Sequence, residues 1–447
     1  MLKKTLSSLI FISCFSLLAN EAKSIELKKD DKCFNEKNSI ICVGHPKENQ
    51  VDFSISKTKK IISVKSKTIF EVNKKSDKVF FFLEPNVKKA KLNGKVINIK
   101  RQRAPKNEDW IITFPVTKGI DNYSLELEYN LPKLTNWSQN WKPFYFLTDF
   151  SDSTDARFTN LFTPSSFEED RYPMTYSFSF YDFYENIKLY TSGDLLENKN
   201  NTYKIKFSDW NNTASPYFEF TTIPYKTHKF SYKGKYKEIP VTLYFKPNLG
   251  ISKKLTADKL ALKAEQSIRK TLDNFEKKIG KYPFEKLLVK LYSLQEGDLP
   301  LSQEYSMEFG GAIVSRLELI PHELCHQWFG RGSSPKDGKA GFVDELVCDW
   351  YDYNNPIKKY QKRPATILSK DNNFTLRTPE EVYNNGIFLA EIGYFYKEKN
   401  LSLYPTLSEF YNKYNLSSYS DKDFINLVQK NYGGSLDFYF KRYVYGK

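Results

Sequence analysis

Only four histidines occur among 447 residues, His45, His228, His322 and His326, and two of them fall together in "PHELCHQWFG" (residues 321–330). A metal centre built on that pair has to complete its ligand set from another residue type. Cysteine is nearly as rare, with five in the chain. Beyond the first two dozen residues no stretch offers about 18 uninterrupted apolar positions, which excludes a transmembrane helix there. Dense basic blocks are missing too, as are fixed-period repeats and low-complexity tracts. Without a basic block or a recognisable binding module, a nucleic-acid partner is not expected.

What is present first is an opening segment, "MLKKTLSSLIFISCFSLLANEAKS", with a basic start at Lys3 and Lys4, an apolar run from Leu6 to Ala19, and small residues after it. That is the layout of a secretory signal peptide over residues 1–24, and the run is short for a membrane span. The expected location is extracytoplasmic, periplasmic or secreted. The formal charge is +15; three Lys and one Glu lie in the opening segment, leaving +13 on the rest. This balance allows peripheral association with anionic surfaces, but with no dense basic block Lys scattered over a solvated face is the simpler account. Export would let Cys33 pair with Cys42 and Cys325 with Cys348, or leave them as packed thiols. The 31 Tyr and 35 Phe suit a folded chain and are not read as a binding code.

Two halves are expected. Up to about residue 225, short runs alternate at period two, as in "YSLELEY" (residues 123–129), "YSFSF" (176–180) and "YKIKF" (203–207), and Asn93-Gly94 signals a hairpin. This predicts an N-terminal β-domain over residues 25–225. From residue 226 to 447 the pattern is mixed and mainly helical. Leu260, Ala264, Ile268, Leu272, Phe275 and Ile279 form one apolar stripe that stops at Gly280 and Pro283. "LLVKLY" (287–292) reads as a buried strand, and Ser420 with Asp423 opens a final helix.

His322 and His326 stand four apart, so on a helix they share a face and reach one ion. Pro321 suits the first turn, where a missing N–H costs nothing. Glu323 sits beside the first ligand, free to face water at the metal. Catalytic zinc takes three protein ligands and keeps a fourth position open. Glu345 in "GFVDELVCDW", with 18 residues between it and His326, is the candidate third ligand on a second helix.

With these residues placed, the sequence resembles the aminopeptidase N-like zinc metallopeptidases, whose HExxH is followed by a Glu after 18 residues and by Gln-Trp-Phe-Gly after the second His. Gln327 to Gly330 match that run, and "YSMEFGGAIV" is similar to the strand that grips a substrate's amino group, which places Glu308 in that role. "VYNNGIFLAEIGY" offers Tyr383 and Gly386 for the family's transition-state Tyr. "FEKKIGKYPF", "TDAR" (residues 154–157) and "FINLVQKNYGGSLDFYFKRYV" extend the resemblance over most of the chain. Glu308 lies 14 residues before His322 and Tyr383 lies 38 after Glu345, both shorter connections than relatives use, and the Gly-Ala before Met and the Asn after Glu are absent. Asp149 falls near a second amine-binding position of the family.

The resemblance implies an α+β multidomain fold, a β-sandwich-like domain followed by a thermolysin-like, mainly helical zinc peptidase domain without a C-terminal helical domain. It also implies one zinc on His322, His326 and Glu345, Glu323 as proton carrier, Tyr383 on the oxyanion, Glu308 on the substrate amine, and removal of N-terminal residues from peptides with a free N-terminus. The rivals are a thermolysin-type endopeptidase and a catalytically silent scaffold that binds peptide ends.

Overall fold

Period-two alternation builds the first half. The computed structural model describes residues 32–105, 109–117, 119–131, 145–147, 159–184, 186–214, 216–247, 256–292, 306–353, 357–369, 380–383 and 385–447. The signal segment, Asp149 and the residues 154–157 motif lie outside them. Tyr123–Asn130 and Met174–Tyr181 each alternate buried and part-exposed positions along their length. Both belong to an eight-stranded sheet that also holds His45–Ser56 and Ile61–Glu71. The Asn93-Gly94 turn joins Val87–Leu92 to Lys95–Val96 with both residues at positive φ, the backbone that a tight hairpin requires.

A second, five-stranded sheet packs on the first. In its strand Lys78–Phe82, Val79 and Phe81 enter the core shared with Phe53, Leu125 and Tyr176, whereas Phe80 and Phe82 face Ile41, Val43 and Phe167. Apolar residues on both sides follow from burial on both sides. Cys33–Cys42 closes a disulfide across a hairpin of this sheet. The first half is thus β-rich and sandwich-like.

After Tyr225 the strands join a different sheet, in the order Lys226–Lys233, Glu238–Phe245, Leu287–Leu291, Ala312–Ser315, Met307–Phe309. Helix α1 (Ala257–Lys278) crosses between the parallel strands Glu238–Phe245 and Leu287–Leu291 and buries the predicted stripe, Leu260, Ala264, Ile268, Leu272 and Phe275. Leu287–Leu291 is buried at every position: Leu287, Val289 and Leu291 face the helices, while Leu288 and Lys290 face Tyr217, Tyr225 and Glu219 of the first half. Next come α2 (Ile320–Cys325), α3 (Phe342–Tyr353), α4 (Ile387–Glu398), α5 (Tyr404–Tyr414), α6 (Asp421–Tyr432) and α7 (Asp437–Tyr443). Helices and a mixed sheet therefore share this half. Ser420 and Asp423 form the expected capping box on α6, but α6 is not the final helix. Gly433 caps it in the left-handed region, and α7 follows.

Polar contacts join the halves. Arg171 Nη2 donates to Ser334 Oγ at 2.7 Å, Asn212 donates to the same oxygen at 3.0 Å, and Lys32 pairs with Asp337 at 3.1 Å.

Candidate metal centre

Helix α2 is only six residues long, and both histidines depend on it. Pro321 occupies its first turn as predicted, and His326 is its C-cap. The following turn is held from outside. Gln327 donates to the carbonyls of Phe309 (3.0 Å) and Ala312 (3.3 Å) and accepts from Gly311 N–H (3.0 Å), so it clamps the hairpin that carries Glu308. Trp328 Nε1 donates to Gly280 O at 2.9 Å, tying the turn to the end of α1. Gly330 has φ +118°, and a Cβ there would stand 3.1 Å from Asp344 Oδ2 and 3.3 Å from His326 Nδ1. Gln327, Trp328 and Gly330 of "HQWFG" thus each have a positional reason.

The ligand atoms converge. His322 Nε2 lies 3.2 Å from His326 Nε2, and Glu345 Oε2, from the first turn of α3, lies 3.7 Å and 3.5 Å from them. One donor atom from each of the three falls within 4.8 Å of the others. The remaining ring nitrogens are engaged elsewhere: His326 Nδ1 with Phe329 O at 3.1 Å, and His322 Nδ1 with Asp349 Oδ1 at 3.5 Å. Both Nε2 atoms are thereby turned to the same point. Two nitrogens at ordinary zinc distances in a tetrahedron stand roughly 3.3 Å apart, so the donor set fits zinc. A disulfide, Cys325–Cys348, links α2 to α3 beside these ligands.

The charges are crowded. Glu323 and Glu308 are each 4% exposed and Glu345 5%. Burial pushes Glu323 well above the ordinary carboxylate range; His322 pulls against this, and Glu308 adds to it. Burial also disfavours a charge on His326, but Glu308 and Glu345 outweigh it and push that imidazole up to about 10. Glu345 is held far below the usual range, because the two histidines override its desolvation. Neighbouring carboxylic acids are thus split into one proton holder and one anion, the division that acid–base chemistry uses.

No protein-family model matches the sequence, and comparison with curated proteins gives no match. Solved structures do match. An M1 zinc metallopeptidase from Deinococcus radiodurans, bound to a Tyr-Ser-Ala substrate, superposes with a TM-score of 0.63 at 13% identity, covering 89% of this chain and 93% of that one. A two-domain M1 zinc metallopeptidase bound to L-arginine gives 0.61 at 13%, covering 87% and 91%. Leukotriene A4 hydrolase from Saccharomyces cerevisiae gives 0.61 at 15%, covering 92% and 68%. This chain has the M1 zinc metallopeptidase fold.

Within that M1 fold, His322, His326, Glu345 and Glu323 come together as the sequence predicts. Glu308 lies on the edge strand Met307–Phe309. Its carboxylate has an unforeseen neighbour: Arg331 Nη2 is 3.5 Å away, and the fully buried Arg331 also bonds Glu168 at 3.2 Å. Tyr383 is 43% exposed and follows a 3-10 turn, Glu380–Val382. Asn385 N–H donates to Asp349 Oδ2 at 3.0 Å, and a Cβ on Gly386 would come within 2.8 Å of the Asp349 backbone. The Tyr383 segment is therefore moored on the Asp349 side of the ligands. Asp349, which faces His322, could have been found four residues after Glu345 on the same helical face. Arg331 and Glu168 carry no such signal, being 163 residues apart.

Proposed function

We propose that this chain is a zinc-dependent aminopeptidase acting on peptides with a free N-terminus outside the cytoplasm. The observation that carries the reading is the convergence of His322, His326 and Glu345, with a fourth buried group, Glu323, beside them but not among the ligands. Zinc bound there supplies a Lewis acid that polarises a carbonyl and makes water a nucleophile at neutral pH. Glu323 takes the proton from the attacking water and hands it to the leaving amine, a task suited to a carboxyl whose pKa burial has raised. Glu308 offers a buried anion to the substrate's ammonium group. Tyr383 is assigned, from the family resemblance, to donate a hydrogen bond to the developing oxyanion. Phe329 O and Asp349 hold the two imidazoles in orientation.

Support for export comes from the signal-like opening and from two disulfides, Cys33–Cys42 and Cys325–Cys348, which persist in oxidising compartments. No helix among the described residues is long and apolar enough to cross a membrane. The proposed domains are residues 25–225 and a thermolysin-like catalytic domain, residues 226–447. The charge of +13 left beyond the opening segment is compatible with peripheral association with anionic surfaces.

One observation favours a second reading. Arg331 lies 3.5 Å from Glu308 and already offsets part of its charge, as it would if Glu308 were structural and the enzyme an endopeptidase. Aminoacyl anilides assayed beside internally quenched, N-blocked peptides separate the two. An aminopeptidase cleaves the free-amine set, and Glu308→Ala narrows its preference for them. Equal or better cleavage of blocked peptides establishes the endopeptidase, and zinc-free or zinc-independent behaviour across both sets refutes the metallopeptidase.

A further inference from the structure

We infer that the Cys325–Cys348 bridge is a positioning device for the metal ligands, so that the chain's hold on its metal depends on that bridge being oxidised. The inference rests on the reading that His322, His326 and Glu345 bind a metal. Cys325 is the last residue of α2 and immediately precedes His326, while Cys348 lies three residues beyond Glu345 on α3. The crosslink thus joins the two ligand-bearing helices at the level of the ligands.

Both elements need such help. Six residues are too few for a helix to hold its own shape, yet α2 carries both imidazoles. Glu345 sits in the first turn of α3, where helices fray most readily. Three charged or chargeable ligands crowded together do not favour the geometry by themselves, since two of them are imidazoles 3.2 Å apart. A covalent tie beside them keeps His326 and Glu345 from separating and so meets beforehand part of the ordering cost that metal binding would otherwise carry. Both cysteines are 0% exposed and lie in the core beside Leu324 and Val347, so ordinary thiol packing could have filled the space. The second bridge shows the contrast: Cys33 and Cys42 tie two strands already paired in register, far from the ligands in sequence.

The test measures zinc release to a chelator by the full chain, well below its unfolding temperature. Four samples are compared: oxidised wild type, wild type reduced by a dithiol that is then removed and the protein reloaded with zinc without oxygen, Cys325→Val with Cys348→Ala, and Cys33→Ala with Cys42→Ala. The dithiol gives two electrons and two protons to the bridge and becomes a disulfide itself. Loss of the core bridge, by reduction or substitution, should speed zinc release at least about tenfold while near-UV circular dichroism and the apo-protein's unfolding curve still report a folded chain. Removing Cys33–Cys42 should leave release unchanged. Equal release rates with and without the core bridge overturn the inference. Zinc loss that merely follows unfolding, in the variant or in the reduced wild type, also overturns it, because the bridge is then a general staple. Absence of zinc from oxidised wild type refutes the metal reading itself, and is told apart by metal analysis before any bridge is broken.

Discussion

Two of the buried charge clusters among the described residues are built in opposite ways. Glu219, from the strand Phe218–Thr221, meets Lys290 of the second-half sheet at 3.1 Å, with side-chain exposures of 0% and 3%. Tyr225 donates to the Oε1 that Lys290 also reaches (2.8 Å), and Tyr217 (3.0 Å) and Tyr244 (2.7 Å) donate to Oε2. Both oxygens of that carboxylate are satisfied by the protein, and the cluster joins the halves without help. Around His322 and His326, by contrast, Glu308, Glu323, Glu345 and Asp349 bring carboxyl groups together, and protons are forced into an uneven distribution. Burial disfavours charge in both places. A self-satisfied cluster is a fastening, and an unbalanced one is a site that a cation completes.

The sharpest way to test this contrast is Glu323→Gln, which should lower peptide turnover by about 10⁴-fold while metal analysis still finds one zinc per chain. Loss of zinc along with activity would make Glu323 a ligand and collapse the division of roles. Glu219→Gln should do the reverse. Stranding the Lys290 ammonium should cost about 3–5 kcal/mol in urea unfolding with zinc content unchanged, and a variant that kept full stability would show the fastening to be idle.

Smaller effects refine the picture. Acetylating a substrate's amino group removes the partner of Glu308, and cleavage should fall by about 100-fold, read as kcat/KM on matched peptides. Zinc affinity should rise with pH between 6 and 9, by about tenfold per unit for each proton released. The sign follows from His326, pushed up to about 10: over that range an incoming ion must displace its proton, and the proton is held less tightly as pH climbs. A chelator competition series that stayed flat would mean the imidazoles are already neutral.

The convergence of His322 and His326 was legible because their spacing is a local rule, four residues on one helical face. The same holds for α1, whose stripe of Leu260 to Phe275 needs only the helical period, and for Tyr123–Asn130, whose alternation needs only the pleat. Asp349 obeyed such a rule and was overlooked. The break between α6 and α7 was hidden inside a continuous motif, although Gly433 marked it. Pairing between distant segments was not legible. Met174–Tyr181 lies parallel to His45–Ser56, and no local pattern in either strand selects the other.

By itself, then, the sequence determined the alternation of the strands, the apolar stripe of α1 and the shared helical face of His322 and His326, since these depend on periods of two to four residues, whereas Glu345 was a candidate through its longer spacing from His326. Tertiary structure decided between a bridge and two packed thiols at Cys325 and Cys348, and it alone decided that Glu219 finds Lys290 and three tyrosines and that Arg331 stands between Glu168 and Glu308. Those contacts follow from how sheets and helices pack. A buried charge is retained only where packing brings it a partner, and the partner's place along the chain leaves no periodic trace.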